Sequence, residues 1–328
     1  MATKRIAIVA GGFSSEYPVS LKSAAGIKKF LESTPYETYV VKITRDVWEV
    51  LLSDGSTSEI DKNDFSFVED FQIKKFDFAY ITIHGVPGEN GALQGYFDMI
   101  SLPYSCCDVF AAALTANKYS CNKYLSTFGV RVSPSVMIRP GDKYSIEEII
   151  SEVTLPCFVK PNEGGSSFAT TKVKAESELA KAIEDAFTEG GNVIVEKFMQ
   201  GTEVTCGCYK TGAKSVVFPI TEVVSKNEFF DYEAKYTASK VEEITPARIA
   251  DEVAAEISAT TSKIYDIIGA RGIIRVDYII IEGEPYLLEV NTTPGMTETS
   301  FIPQQIRATG VEPGEVLSEI IEDILQTK

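Results

Sequence analysis

Two apolar runs near the end of the chain, "GIIRVDYII" (Gly272–Ile280) and "EPYLLEVN" (Glu284–Asn291), flank Glu282 and Gly283. So short a connection cannot cross over to build a parallel pair, so the two runs must form an antiparallel hairpin. A three-residue loop over 282–284 would set Ile281 opposite Pro285. That register puts Asp277 opposite Glu289 and Arg275 opposite Asn291, and side-chain alternation brings all four to one side of the ladder. Two facing carboxylates repel unless a cation lies between them, and Asp, Glu and Asn oxygens suit a hard divalent ion such as Mg²⁺ or Mn²⁺. The plainer alternative is a solvated polar face with Arg275 as counter-charge. The otherwise apolar strands, which read as buried, weigh against it. After Asn291 the "TTPG" turn ends the ladder, because Pro294 has no N–H and Gly295 tolerates φ values that other residues avoid.

A chain of 328 residues is too long for one core, so two or three subdomains are expected, and 44% hydrophobic content can fill them. With 31 basic against 47 acidic residues the formal charge is −16, which argues against nucleic acid or an acidic membrane as the main partner. The N-terminus has only a short apolar run before Gly11, and no 18-residue apolar span occurs. A cytoplasmic protein with reduced thiols is expected. The six cysteines form no C-x-x-C pair and read as small buried hydrophobes rather than zinc ligands.

The first third alternates strand and helix. "KRIAIVAGG" reads as a strand into a glycine turn, 18–32 as an amphipathic helix, "ETYVVKI" and "FDFAYITIHG" as further strands. This pattern predicts a parallel sheet wound with helices, whose ligands collect at the carboxyl ends of its strands, where "GGFSSE" and "HGVPGENG" both lie. Gly11–Gly12 lacks the full dinucleotide fingerprint. His84, the only histidine, reads by itself more as a structural donor than a catalyst. Further on, "TANKYSCNKYLSTFG" predicts one helix ending at Gly129, followed by a strand ending in Lys160, a returning strand, a helix over 176–188 and the strand "NVIVEKF". Strands over 203–210 and 214–220, a polar segment, a helix over about 246–268, the hairpin and a helical "EVLSEIIEDILQ" complete the chain.

Two more stretches bear on chemistry. "KPNEGGSSF" couples Lys160 to a loop of Gly164, Gly165, Ser166 and Ser167, whose N–H groups and hydroxyls could wrap phosphate oxygens. It lacks P-loop spacing, and a tight hairpin turn fits it as well. "VIVEKFMQGTEV" could offer backbone groups to a purine at Glu196 and Lys197 and a carboxylate to ribose at Glu203; a charged strand edge is the plainer reading.

Taken in order, "GGFSSEYPVSL", "HGVPGENGALQGYFD", "ALTANK", "FVKPNEGGSS", "VEKFMQGTEV", "FFDYEAKY", "RVDY" and "LLEVNTTPGMTETSFIP" resemble the ATP-grasp ligases, and more narrowly the D-alanine–D-alanine ligase family, over nearly the whole chain. The resemblance implies an α/β fold of three domains: an N-terminal parallel-sheet domain over 1–110, a central domain over 111–200 and a C-terminal domain over 201–328, with ATP between the last two. It implies that Lys118, Lys160 and Ser167 face ATP phosphates, that Glu196, Lys197 and Met199 hold adenine, mainly through backbone, and that Glu203 binds ribose. It makes Asp277, Glu289 and Asn291 the ligands of two Mg²⁺ or Mn²⁺ ions. Glu16 would receive the ammonium of the first D-alanine, with Ser166 and Tyr236 closing the site around it. Lys235 would reach the γ-phosphate. Arg275, the Gly295 N–H and Ser300 would surround the reacting carbonyl and the second carboxylate, and His84 would lie on the substrate side.

The implied reaction is ATP-dependent ligation of two D-alanines through D-alanyl phosphate, supplying a peptidoglycan precursor in a cytoplasmic homodimer. D-lactate or D-serine as second substrate, or ATP binding without turnover, are the alternatives; Tyr236 favours D-alanine. The segments 163–168 and 225–243 are the implied lids. The chain departs from the family pattern at "EYPVS", at Asn90 for the usual Asp, at Ala169 for a usual glycine, and in "SCCD" over Ser105–Asp108.

Overall fold

The computed structural model describes residues 3–164, 169–188, 191–225 and 241–327. The chain begins with β1 (Arg5–Gly11), α1 (Tyr17–Phe30), β2 (Glu37–Ile43), β3 (Trp48–Leu51), β4 (Thr57–Glu59), β5 (Phe67–Glu69), β6 (Gln72–Lys74), β7 (Phe78–Ile81) and α2 (Ala92–Met99). Strand β1 lies between β2 and β7 and is parallel to both, as the alternation predicted. The sheet is nonetheless mixed, since β3 and β4 extend it antiparallel. The cause is a short turn: Thr44 N–H donates to Val47 C=O at 2.9 Å, which leaves no length for a crossover.

Next come α3 (Val109–Ala116), α4 (Lys118–Ser126), β8 (Ser135–Ile138), α5 (Ile146–Val153), β9 (Cys157–Pro161), β10 (Thr171–Val173), α6 (Glu176–Phe187) and β11 (Val193–Lys197). The four strands form an antiparallel sheet in the order β10-β9-β11-β8. The single helix expected from Thr115 to Gly129 is broken. Asn117 is extended (φ −99°, ψ 94°), and its side chain accepts from Ser120 N–H at 2.9 Å, so the amide that could have continued α3 caps α4 instead.

The last part holds β12 (Thr202–Lys210), β13 (Ser215–Val217), β14 (Thr221–Ser225), β15 (Val241–Ile244), α7 (Asp251–Ile267), β16 (Ile273–Ile281), β17 (Glu284–Asn291), α8 (Phe301–Ala308) and α9 (Pro313–Thr327). Its sheet runs β15-β14-β12-β16-β17, with β13 also on β12. One face packs on α7: Val204, Cys206, Cys208, Ile274, Val276, Tyr278, Leu287 and Val290 are buried with Ile257 and Ile264. Each such side chain contributes roughly 1.5–3 kcal/mol on leaving water. Helices α8 and α9 return to the start of the chain, where Ile302, Leu317 and Ile321 share a core with Ile6, Ile8, Ile27 and Leu31. Lys4 and Tyr36 both reach Glu322, at 2.6 and 2.7 Å.

The hairpin differs from the expectation in a way that matters. Its loop is the two-residue turn Glu282–Gly283, with φ of +51° and +85°, and Ile281 faces Glu284 rather than Pro285. Tyr278 then faces Leu287, but Asp277 faces Glu289, so Leu288 is a β-bulge, an extra residue without a partner. The shorter loop and the bulge offset each other, and the predicted pairs Asp277–Glu289 and Arg275–Asn291 both form. Without the bulge, Leu288 would face Asp277, and Glu289 and Asn291 would be aimed at the α7 core.

Candidate active site

The face of the last sheet opposite α7 carries the charges. Alternation aligns Glu203, Thr205 and Gly207 of β12 with Ile279, Asp277 and Arg275 of β16, and Glu289 and Asn291 of β17 complete the row. Arg275 grips Asp277 with two hydrogen bonds, Nε to Oδ1 at 2.8 Å and Nη2 to Oδ2 at 2.7 Å, and its Nη2 is 3.8 Å from Glu289 Oε1. Thr205 Oγ1 donates to the same Asp277 Oδ1 at 2.6 Å. Burial alone would lower the Arg275 pKa, but Asp277 and Glu289 outweigh it and the net shift is upward. The guanidinium also lies 5.7 Å from the Phe301 ring centre, at the start of α8.

These residues fit a hard divalent cation. Asp277, Glu289 and Asn291 offer oxygens from facing positions of one ladder, and Glu289 remains one-third exposed, at 33%. Asn291 Oδ1 accepts from Thr293 N–H at 2.9 Å, which uses one lone pair and leaves the other. Among the described residues no group of three His, Cys, Asp or Glu gathers, here or elsewhere, so a cation at this face would take the Asn291 amide as its third oxygen. The cysteines offer no rival. All six are buried free thiols, and burial pushes Cys106 up to about 11 and Cys107 to about 12.

Two lysines approach the same row from the central part. Lys118, at the first turn of α4, has its Nζ 3.7 Å from Glu289 Oε2 and donates to Gly164 C=O at 2.5 Å. Lys160, at the end of β9, pairs with Glu196 of β11 at 2.5 Å. Burial pushes the Lys160 ammonium toward neutrality, yet Glu196, with Glu289 and Glu203 further off, shifts it upward on balance. Glu196 is buried, at 8% exposure, so it is no surface charge, and its carboxylate is engaged with Lys160. The Lys197 N–H donates to Pro134 C=O, and its own C=O accepts from Ser133 Oγ, each at 3.0 Å. Both main-chain groups of Lys197 are thus engaged within the fold.

The other side of the site comes from the ends of β1 and β7. Gly11 and Gly12 have φ of +104° and +101°, a conformation that turns the chain sharply into Glu16, which precedes α1. Glu16 N–H donates to Ser14 Oγ at 3.3 Å, and Ser14 Oγ donates to His84 C=O at 3.0 Å, so the two loops are joined. His84 is 5% exposed; its Nδ1 lies 3.7 Å from Glu89 Oε1 and its Nε2 3.2 Å from Ser23 Oγ. Gly295 does not take the expected left-handed φ, and a Cβ there would lie 3.0 Å from Ser300 Oγ, so a larger residue would press on that side chain. Ser300 Oγ is 2.7 Å from Thr297 Oγ1 and accepts from Thr297 N–H at 3.1 Å, which ties off the turn.

Ser166, Ser167, Lys235 and Tyr236, with most of both implied lids, lie outside the described residues. The departures from the family pattern have local explanations. Asn90 Oδ1 accepts from Ala92 N–H at 3.3 Å at the start of α2, a bond an Asp would also make. Asp108 caps α3 through Ala111 N–H, and Ser105 Oγ accepts from Ile81 N–H at 3.0 Å. Ala169 holds φ of +50°, the conformation in which a glycine is at ease.

Several contributors were not singled out from the sequence. Thr205 could have been found by pairing β12 with β16, and Glu89 by its place in "HGVPGENG". Ser23 and the Asn117–Glu163 contact, 2.9 Å from Nδ2 to Oε1, join residues distant in the chain and have no local signature.

Comparison with known proteins bears on the same residues. A model described as the D-ala D-ala ligase N-terminus matches residues 5–107, and one described as the D-ala D-ala ligase C-terminus matches 124–322. The chain is 57% identical to a D-alanine–D-alanine ligase of Phocaeicola vulgatus, over 98% of this chain and 99% of that one. It is 58% identical to one of Bacteroides fragilis, with the same coverage. Among solved structures, the VanG D-Ala:D-Ser ligase from Enterococcus faecalis superposes with a TM-score of 0.87 at 32% identity, over 98% of this chain and 99% of the other. The D-alanine–D-alanine ligase from Bacillus anthracis complexed with ATP does so at 0.79 and 26%, over 99% and 98%.

Proposed function

This chain belongs to the D-alanine–D-alanine ligase family, and from that premise we infer that it joins two D-alanine molecules in an ATP-dependent ligation. The carboxylate of one D-alanine attacks the γ-phosphorus of ATP, releasing ADP and giving D-alanyl phosphate. The amine of a second D-alanine attacks that carbonyl, phosphate leaves, and the amine gives up a proton. The observation that carries the assignment of roles is the Arg275–Asp277–Glu289 cluster, a fixed cation facing two carboxylates beside the Gly295 turn.

The roles divide by chemistry. Lys118, Lys160 and Ser167 bind phosphate oxygens; Met199 and the backbone at Glu196 hold adenine, with Lys197 contributing its side chain because its main-chain groups are engaged; Glu203 takes ribose, and Lys235 the γ-phosphate. Asp277, Glu289 and Asn291 hold Mg²⁺ or Mn²⁺, which when bound offsets charge on the phosphates. Glu16, with Ser166 and Tyr236, receives the first ammonium beside His84. Arg275 and the Gly295 N–H aim at the tetrahedral oxyanion, where one such donor is typically worth about 3 kcal/mol, and Ser300 meets the second carboxylate. Acyl phosphates hydrolyse in water, so the segments 163–168 and 225–243 serve as lids.

The division at residues 1–110, 111–200 and 201–328 belongs to this reading, and the presence of three main sheets supports it. Six buried free thiols support a reducing, cytoplasmic setting, and among the described residues no helix is long and apolar enough to cross a membrane. A homodimer belongs to the same reading, and sedimentation measures it. The test of function is ADP release over D-alanine, D-serine, D-lactate and L-alanine. Release with D-alanine is expected; none with D-alanine, or a clear preference for D-lactate at neutral pH, would sink the assignment.

A further inference from the structure

Ser23 is fully buried on the inner face of α1, between two loops that reach the site from opposite ends of the chain. Its Oγ lies 3.2 Å from His84 Nε2 and 3.3 Å from Met296 N. A serine hydroxyl has one proton and two lone pairs, and a backbone N–H can only donate. One lone pair is therefore committed to Met296, which leaves the proton and a second lone pair; the Glu89 carboxylate beside Nδ1 can only accept, so the ring proton belongs on Nδ1 and Nε2 is left to take the Ser23 proton. With Nε2 accepting, the ring carries its own proton on Nδ1, on the side of Glu89 Oε1 at 3.7 Å, and Glu89 Oε2 is held by Gly85 N–H at 2.9 Å.

The Met296 N–H belongs to the same rigid peptide plane as the Gly295 carbonyl, so a bond to it sets how that glycine is presented. Gly26, one helical turn after Ser23, shows how closely the turn rests on α1. A Cβ at Gly26 would stand 2.2 Å from Met296 O, which only a glycine permits. Helix α1 thus begins beside Glu16, touches His84 at its second turn and supports Met296 from both sides of its residue.

We propose that Ser23 is a positioning residue for the ligation: its hydroxyl keeps His84 in the Nδ1–H tautomer and, through Met296, holds the turn that carries Gly295. This rests on the ligase reading above, in which His84 and the Gly295 N–H both face substrate. It adds that the first-substrate side and the carbonyl side are kept in register by one buried oxygen rather than by each loop alone. A general consequence is that truncating Ser23 disturbs D-alanine handling while leaving nucleotide binding, which uses other residues, unaltered.

The chain has a single histidine, so its imidazole ¹⁵N signals are unambiguous. The unmodified protein is expected to show the Nδ1-protonated pattern, and Ser23→Ala to shift toward Nε2–H. In the same variant KM for D-alanine should rise, or kcat fall, by about tenfold or more, as when a buried hydrogen-bond partner is removed. ATP affinity should change less than about twofold, and Ser23→Thr, which keeps the hydroxyl, should recover the tautomer. If Ser23→Ala does not fold, Ser23→Cys keeps the volume and weakens both bonds, and the same two readouts apply. An unmodified protein in the Nε2–H form, or a tautomer and D-alanine kinetics unchanged on losing the hydroxyl, would overturn the proposal. Absence of ADP release from the unmodified protein counts instead against the ligase reading, and the ¹⁵N pattern then judges Ser23 alone.

Discussion

Two antiparallel ladders of this protein carry ion pairs, and their charges are matched differently. Between β9 and β11, Lys160 meets Glu196 one to one at 2.5 Å. Between β16 and β17, one guanidinium faces two carboxylates, close to Asp277 at 2.7 Å and looser to Glu289 at 3.8 Å. The first pair is self-sufficient, and its cation is held in place for an incoming anion. In the second Arg275 and Lys118 together balance Asp277 and Glu289, but both cations stand off from Glu289, at 3.8 and 3.7 Å, and oxygens met at that distance suit a divalent ion. A close pair fixes a side chain; a distant one leaves oxygens for a ligand.

The strongest way to break this comparison is Arg275→Ala. Asp277, with a side chain 13% exposed, would lose its cation. Stability should fall by about 3 kcal/mol, the low end for stripping a buried pair of one partner. Turnover should drop by roughly 10²–10³ or more with ATP binding retained. Unchanged ADP release would refute the role given to Arg275. Glu196→Gln tests the matched ladder, and its effect should be smaller. Removing one charge while keeping a hydrogen-bonding oxygen should cost about 1–2 kcal/mol in urea denaturation, with no rise in KM for ATP. A tenfold rise, on the order of 1.4 kcal/mol, would mean that the Glu196 charge serves the nucleotide, by its own contact or by its hold on Lys160.

Deleting Leu288 sharpens the comparison from another side. A regular ladder from the Glu282–Gly283 turn would then still set Glu289 opposite Asp277, so turnover should stay within about tenfold of the parent. A larger loss, in a variant that remains folded by circular dichroism, would show that the twist of the bulge aims Glu289. The smallest effect is expected at Ala169, whose φ is +50°. Ala169→Gly should raise stability by about 1 kcal/mol through relief of the left-handed backbone, seen as a higher Tm. A lower Tm would place the strain elsewhere.

Much of the fold and half of the site could be read from residue order because the signals are local. Alternation in "IIRVDYIII" is enough to put Arg275 and Asp277 on one side and Val276 and Tyr278 on the other. The register of the partner strand was reached through a loop one residue too long and a missing bulge, two departures that cancel at Asp277. The break at Asn117 was invisible because the same amide suits a helix interior poorly and a cap well, and only Glu163 and Ser120 decide between them. The antiparallel β3 and β4 were missed because short, half-exposed strands carry little alternation.

By itself the sequence determined the longer elements, the side of each such strand on which charge falls, and the set of groups available for phosphate, cation and carboxylate. Those follow from backbone sterics and from the two-residue and 3.6-residue periods, which need no partner. Only the tertiary structure decided that Arg275 is held by Asp277 more closely than by Glu289, that Leu288 is extruded, and that Ser23 meets Met296, 273 positions away. Such contacts depend on which distant segments pack together, and packing is settled by the whole core at once rather than by any stretch within it.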